Sequence, residues 1–474
     1  MNIRRINFFL ITAVSIIVAR QILSKALFRD LWFDEALTFL NFALLPDVAA
    51  IYKNYVIPNN QILFTVLLKY WNQYSPGLLM PDFHMRLLPL IFAVSSLAVL
   101  YSWRRYFSRR AVLLTAAALA ISLPFEIYAV ALRAYMLSLF LLLVCVGIAF
   151  KIRSSPKRMH WYAAYFFMAL AAVAALPSNI VALGGIAIWF IPIESKKKWP
   201  PIAWWMLALL PLLAMGLFYL PLAKQIRGIL ALREGWNNHI QAAVVFYSAF
   251  LLSFLPLLLT ARSATITFWL KTVAVLLLPM PFFLLRTPAP FPRVFFPYWA
   301  VMLLPAISLL NTFLAQKRRS PSAYPLLCAA VVCGAAGMFS IRSGLSDFFT
   351  AGYGMDDYFY PSYARPEFQP HTTVKMLREK YGNSLPDTYV SFNADFYPLI
   401  FYGLLNNISS EVWKFDGPRS KVDKLKPGTL VVLSNHDDEL ENFIARFKTS
   451  PHRVFDNGFH QVYRLREQPQ NIER

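Results

Sequence analysis

Long apolar runs, each near the length that crosses a hydrocarbon layer, alternate with short polar loops up to about residue 341. Beyond that point apolar and polar positions mix as in an ordinary water-soluble fold. The alternation predicts an α-helical polytopic membrane domain over residues 1–341 and a small C-terminal α/β domain over residues 342–474. About eleven transmembrane helices fit the runs. The first, Ile6 to Leu23, follows a basic start and lacks a small-residue cleavage site, so it reads as an uncleaved span rather than a signal peptide. It delivers a long outer loop over residues 24–85. One helical pattern in that loop begins near Asp30 and carries Asp34 and Glu35; a second runs from Ile62 to Trp71, behind Pro58-Asn59-Asn60-Gln61. Both are too short to span and predict interfacial helices.

Span two starts near Arg86 and ends at the basic stretch Arg104–Arg110. Span three returns outward to Pro124, where a turn holds Glu126, Tyr128, Arg133 and Tyr135 before span four runs to Lys151. A tight Pro177-Ser178-Asn179 turn joins spans five and six, and span seven lies between Pro201 and Pro221. A polar outer loop over 222–240 holds Lys224, Arg227 and Arg233; another, Arg286 to Arg293, precedes span ten, and the last span is Tyr324 to Ile341. An odd number of spans with the N-terminus in the cytoplasm places the tail outside, on the periplasmic face of a bacterial inner membrane. The tail reads as helix His371–Tyr381, strand Thr388–Phe392, helix Ala394–Gly403, strand Thr429–Ser434, helix Asp437–Phe447 and a hairpin around Asp456-Asn457-Gly458.

Composition agrees: the chain is 57% hydrophobic and 15% charged, which soluble proteins seldom combine. A net charge of +21 raises the question of nucleic acid. Its placement answers otherwise. Arg4-Arg5, Arg104-Arg105, Arg109-Arg110, Lys151–Arg158, Lys196–Lys198 and Lys317–Arg319 all fall on one side of alternating spans, the positive-inside pattern. Membrane lipids, not nucleic acid, are the partners this charge implies. Three cysteines, Cys145, Cys328 and Cys333, lie within apolar runs, and no disulfide framework or thiolate metal site can be read from them.

Leu31-Trp32-Phe33-Asp34-Glu35-Ala36-Leu37 places two adjacent carboxylates at a membrane surface, where acids are costly to desolvate without partners or a task. An interfacial helix whose acids face water would show the same pair. The outer face also collects Arg133, Lys224, Arg227, Arg233 and Arg293. A carboxylate beside an apolar slot suits a general base, and arginines suit a phosphate leaving group. Together they match displacement of a lipid phosphate from a sugar's anomeric carbon by an acceptor hydroxyl.

Several segments resemble the GT-C glycosyltransferases, in particular the bacterial branch related to the protein O-mannosyltransferases, the aminoarabinose transferase and the Rgt-type lipopolysaccharide glycosyltransferases. Trp32-Phe33-Asp34-Glu35-Ala36 resembles the acidic motif of their first outer loop. Pro58-Asn59-Asn60-Gln61-Ile62-Leu63-Phe64 resembles their Pro-Asn-Asn-His-x-Leu segment, and Arg86-Leu87-Leu88-Pro89 their Arg-Leu-Pro approach to span two. Tyr128 to Tyr135 resembles their Tyr-x-x-Glu-x-Arg-x-Tyr turn, and Pro292-Arg293-Val294-Phe295 their Pro-Arg-Tyr start of a late span.

The resemblance implies a GT-C-like fold and an inverting transferase that uses a polyprenyl-phosphate-linked sugar. The acceptor would be a glycan, lipid or protein. Asp34 would be the catalytic base, with Glu35 beside it or paired to an arginine. Arg133, Arg293, Arg227, Lys224 and Arg233 would bind the donor phosphate, and Asn60, Gln61, Arg86, Glu126, Tyr128 and Tyr135 would contact substrate. Two positions depart from the pattern. Gln61 stands where the family has histidine, and Ala131 where it has an acid, with Glu126 five residues earlier. Neither Gln61 nor Ala131 supplies a titrating metal ligand, so the cofactor is left open between a divalent metal and none. A transporter or lipid-sugar flippase, or a GT-C-like scaffold without activity, are the competing readings. Against transport, no internal repeat is evident and the mid-span positions are almost free of charge.

Overall fold

The computed structural model describes residues 27, 29–57, 60–74, 81–107, 109–120, 125, 128–190, 201–231, 271, 273–275, 277–285, 292–302, 368–382, 384–391, 394–415, 422–435, 438–449 and 451–466. The helices in chain order are α1 (Phe33–Thr38), α2 (Val48–Lys53), α3 (Ile62–Tyr74), α4 (Pro81–Ser102), α5 (Arg109–Ala120), α6 (Tyr135–Ser154), α7 (Met159–Ala175), α8 (Asn179–Trp189), α9 (Pro201–Tyr219), α10 (Ala223–Ala231), α11 (Met280–Leu285), α12 (Pro370–Tyr381), α13 (Phe396–Leu405) and α14 (Glu439–Phe447). The strands are β1 (Thr388–Val390), β2 (Trp413–Phe415), β3 (Leu430–Ser434), β4 (Pro451–Asp456) and β5 (His460–Leu465). The chain forms two compact units: Met1–Leu27 with Leu45–Phe359, and Phe28–Leu44 with Tyr360–Arg474.

The first unit is helical. Pro81–Arg105, Tyr135–Ser154 and Ile202–Ile229 are long and apolar enough to cross a membrane. The chain is a membrane protein on that reading. The apolar window of α6 is 67% buried within the protein, against 28% for the helix containing α9. So α6 is the central rod, packed by α4 and α7, while α9 lies outside it. On α9 the exposed side chains Ile202, Trp205, Leu209, Leu212, Leu213 and Leu217 recur at helical spacing, as a lipid-facing stripe requires. Between α7 and α8 the chain reverses at Pro177-Ser178, where the Asn179 side-chain amide donates to the Ala172 carbonyl at 2.7 Å and closes the turn. Cys145 is fully buried on α6.

Sequence and structure agree closely over α3 to α9. Two differences stand out. A short helix, α2, precedes α3; Asp47 starts it by accepting the Ala50 amide at 2.7 Å. Residues 223–231, read from sequence as loop, form helix α10, because Ile229 and the preceding Leu222 turn inward on one face while Lys224 and Arg227 stay exposed. The expected spans one and eleven lie outside the described residues, as do most of spans eight to ten.

The second unit is built on a five-stranded mixed sheet of order β2-β1-β3-β5-β4. Its strand β1 runs parallel to β2 and β3, and β3, β5 and β4 pair antiparallel. The central β3 is buried along its whole length, the pattern of a strand covered on both faces. Tyr389, Val431, Leu433, Phe443, Tyr463 and Leu465 form one core under α14. The β4–β5 hairpin turns at Asn457-Gly458, with Gly458 at φ +88 and the Asn457 side-chain Oδ1 accepting the Phe459 and His460 amides. Strand β2 is the element the pattern does not reveal; three residues bounded by polar turns carry too little periodicity. Segment Phe28–Leu44, which the sequence places in the membrane domain's outer loop, belongs with this unit. The physical reason is aromatic packing on α13, described next.

Candidate active site

In the second unit, α1 carries the acidic pair. Trp32, in extended conformation at φ −91 and ψ 174, starts the helix. The Glu35 carboxylate reaches back and accepts the Trp32 amide at 3.2 Å, satisfying one of the open donors of the first turn. Glu35 is fully buried; Asp34, one residue earlier and about 100° round the helix, is half-buried. Adjacent acids therefore have different environments. Glu35 bonds to the backbone at the start of its own helix, while Asp34 is partly open to solvent. Thr38 donates its hydroxyl to the Asp34 carbonyl at 2.7 Å. A single π turn, Phe39–Ala43, then continues the helix. Such turns are uncommon and frequent at functional sites.

This segment is fastened to α13. The Leu31 amide donates to the Tyr402 hydroxyl at 2.8 Å, and Asn41 donates its side-chain amide to the Tyr397 hydroxyl at 2.8 Å. Phe33 meets the edges of Phe396 and Tyr397 at centroid distances of 5.6 and 5.1 Å, and Phe39 meets Phe401 at 5.6 Å. Each such aromatic contact contributes about 0.5–1.5 kcal/mol beyond its buried area. In return Asp30 accepts the His371 amide at the start of α12 at 2.7 Å. None of these tail residues stands out in the sequence as part of a site. The one available signal is the aromatic density of Phe396-Tyr397 and Phe401-Tyr402 on a single apolar helix.

Helix α13 is itself anchored by His460. This side chain is fully buried on β5. Its Nε2 lies 3.0 Å from the Ala394 carbonyl, so Nε2 bears the proton and donates. Nδ1 then accepts from the Thr373 hydroxyl at 3.0 Å, and Thr373 in turn accepts from the Asn457 side-chain amide at 3.0 Å. Burial pushes the imidazole down to a pKa of about 4. The bonds hold Ala394 directly before Asp395, whose left-handed φ of 51 turns the chain into α13.

In the first unit, the other motif segments converge. Gln61 is buried at the start of α3, and its Oε1 accepts the Ala134 amide, which opens α6, at 2.5 Å. Asn60 donates to the carbonyls of Ile51 and Asn54 at 2.9 and 3.1 Å, closing the end of α2. Both residues, candidates for substrate contact, thus hold backbone. Tyr128 and Tyr135 are buried with centroids 4.2 Å apart, and Tyr128 lies 5.1 Å from Phe296. Ser178 donates to the Val294 carbonyl at 2.8 Å. Arg86 is fully buried on α4, and Arg133, in the turn before α6, is 6% exposed. Buried guanidinium groups in a membrane domain mark polar interiors. Lys224 and Arg227 lie exposed on α10. Arg293 sits on the short helical turn Pro292–Phe295; its side chain, like Glu126 and Arg233, lies outside the described residues. No group of three or more His, Cys, Asp or Glu able to hold a metal ion comes together among the described residues.

The sequence matches no protein-family model and no curated protein. Solved structures do match. ArnT from Cupriavidus metallidurans in the apo state superposes with a TM-score of 0.54 at 15% identity, over 96% of this chain and 97% of that one. The same protein bound to undecaprenyl phosphate gives 0.49 at 14% identity, over 96% and 97%. The Archaeoglobus fulgidus oligosaccharyltransferase, complexed with Zn and sulfate, gives 0.46 at 11%, over 83% of this chain and 61% of that one. The likeness to apo ArnT shows that the chain shares that protein's fold over nearly its whole length.

Proposed function

We propose that this protein is a membrane glycosyltransferase that moves a monosaccharide from a polyprenyl-phosphate donor to an acceptor hydroxyl on the outer face of the membrane. The observation that supports the reading is the acidic pair on α1 in a chain that shares the fold of ArnT: Glu35 is buried and accepts the Trp32 amide, and Asp34 stands half-buried beside it. In the reaction, the acceptor oxygen forms a bond to the anomeric carbon from the face opposite the phosphate. Asp34 takes the acceptor's proton, and the bond from the anomeric carbon to the phosphate oxygen breaks with its electron pair on the phosphate. Attack from the opposite face inverts the anomeric centre. Arg133 and Arg293 are assigned to the leaving phosphate, which arginine meets with paired charge-assisted hydrogen bonds. Lys224, Arg227 and Arg233 supply further positive charge toward the same headgroup. Glu35 holds the backbone at the start of α1, and Asn60 and Gln61 hold backbone within the membrane unit. ArnT, whose fold the chain shares, has been solved with undecaprenyl phosphate bound, which supports a prenyl-linked donor.

Purified protein is incubated with a polyprenyl-phosphate-linked sugar and an acceptor extract from bacterial envelopes, and products are read by mass spectrometry. The expected result is stoichiometric free polyprenyl phosphate and a new sugar–acceptor bond. Uptake of the sugar lipid into vesicles with no new bond would instead indicate a transporter or flippase.

A further inference from the structure

We propose that the C-terminal unit is a positioning platform for the catalytic acid, with Tyr402 and Tyr397 of α13 as its positioning residues; this rests on the assignment of Asp34 as base. The contacts are reciprocal. Tyr402 accepts the Leu31 amide at 2.8 Å, three residues before Asp34. Asp30 accepts the His371 amide at 2.7 Å, and the exposed His371 ring stacks over the Tyr402 ring at 4.9 Å and 9°. Asp30, Leu31, His371 and Tyr402 thus form a closed clasp at the N-terminal end of α1. At the other end Asn41, in the π turn, donates to the Tyr397 hydroxyl at 2.8 Å. Between the two clasps Phe33 and Phe39 pack on Phe396, Tyr397 and Phe401.

The physical need is clear from the helix itself. Six residues of α-helix have no stability of their own in water. Without the tail, α1 would sample many orientations and Asp34 with it. Bonds at both ends, joined by aromatic packing, fix its rotation and its height. A base must sit within hydrogen-bond reach of the proton it takes, and displacement by about 1 Å costs about a hundredfold in rate. A domain that appears accessory from its sequence thereby becomes part of the catalytic geometry.

The test uses full-length protein with Tyr402→Phe, Tyr397→Phe and Asp34→Asn, alone and combined. Each Tyr→Phe change keeps the ring and removes one hydroxyl. Expected are kcat values lowered about tenfold in each tyrosine variant and donor KM within about twofold of wild type, with a cooperative unfolding transition kept in both and a midpoint lowered only modestly in Tyr402→Phe, where the Leu31 amide loses its acceptor. In the Asp34→Asn background neither tyrosine change should lower the residual rate further, because there is no base left to misplace. Losses that multiply in that background would overturn the platform and leave α13 a merely structural element. So would unaltered kcat in both tyrosine variants of a protein that Asp34→Asn inactivates. Full activity of Asp34→Asn itself would instead remove the base assignment on which the platform rests.

Discussion

Acidification should loosen the C-terminal unit through one residue. His460 is neutral and fully buried, donating to Ala394 and accepting from Thr373, with its pKa held down to about 4 against 6.5 for a free imidazole. The unfolded unit therefore binds the proton first as pH falls. Stability from this group is complete above about pH 6.5 and declines as the pH drops toward 4, below which both states are protonated and the loss levels off. The full loss is about 3 kcal/mol, and about 2 kcal/mol of it has occurred by pH 5. That is a sizeable share of the 5–15 kcal/mol typical of a domain. Because His460 holds Ala394 at the start of α13, the loosening should reach the clasp on α1. Hydrogen exchange of full-length protein in detergent reads this directly. After correction for intrinsic exchange, the Val431 and Val462 amides of the sheet should lose about 2 kcal/mol of protection between pH 7.5 and 5. His460→Gln removes the titration, so its protection should change by about 2 kcal/mol less over the same interval. Equal pH dependence in wild type and His460→Gln would refute the reasoning.

Two further substitutions separate roles within the site. Glu35→Gln keeps an oxygen that can accept the Trp32 amide and should retain most transfer activity, whereas Glu35→Ala should lose about tenfold as the first turn of α1 frays; a loss in Glu35→Gln as deep as that of Asp34→Asn would make Glu35 a second titrating participant. Gln61→Leu leaves the Ala134 amide without its acceptor and should destabilise the membrane unit by about 1–3 kcal/mol, read as a lowered thermal midpoint in detergent; an unchanged midpoint would show that the bond is dispensable.

How much of this was legible in the sequence differs by element. The helices α3 to α9 follow from apolar run length and loop charge, because a bilayer leaves few other ways to satisfy a backbone. The hairpin at Asn457-Gly458 follows from turn chemistry, and α12, α13 and α14 from periodicity. Strand β2 was not legible, since its pairing with β1 is a tertiary fact of three residues. The π turn at Phe39–Ala43 has no sequence signature. Among candidate site residues, the short helix that carries the acidic pair was legible, but not the different burial of Asp34 and Glu35. Glu35 reaches back because it stands three residues after Trp32, but the groups that fasten this segment, Tyr397 and Tyr402, come some 360 positions later. Gln61 shows the converse. As a departure from the family's histidine it raises the question of a lost ligand; the structure shows an amide used to bond Ala134. His460 was passed over because a lone histidine in a strand gives no hint of its partners.

The most direct measurement is the single-turnover rate of sugar transfer by Asp34→Asn beside wild type, with donor saturating and folding verified by an unchanged unfolding midpoint. Asparagine keeps the size and a hydrogen-bonding oxygen but cannot take the acceptor's proton at neutral pH. The expected result is a rate at least about a hundredfold below wild type with donor affinity preserved. A rate within a few-fold of wild type would contradict the assignment of the carboxylate at position 34 as the base.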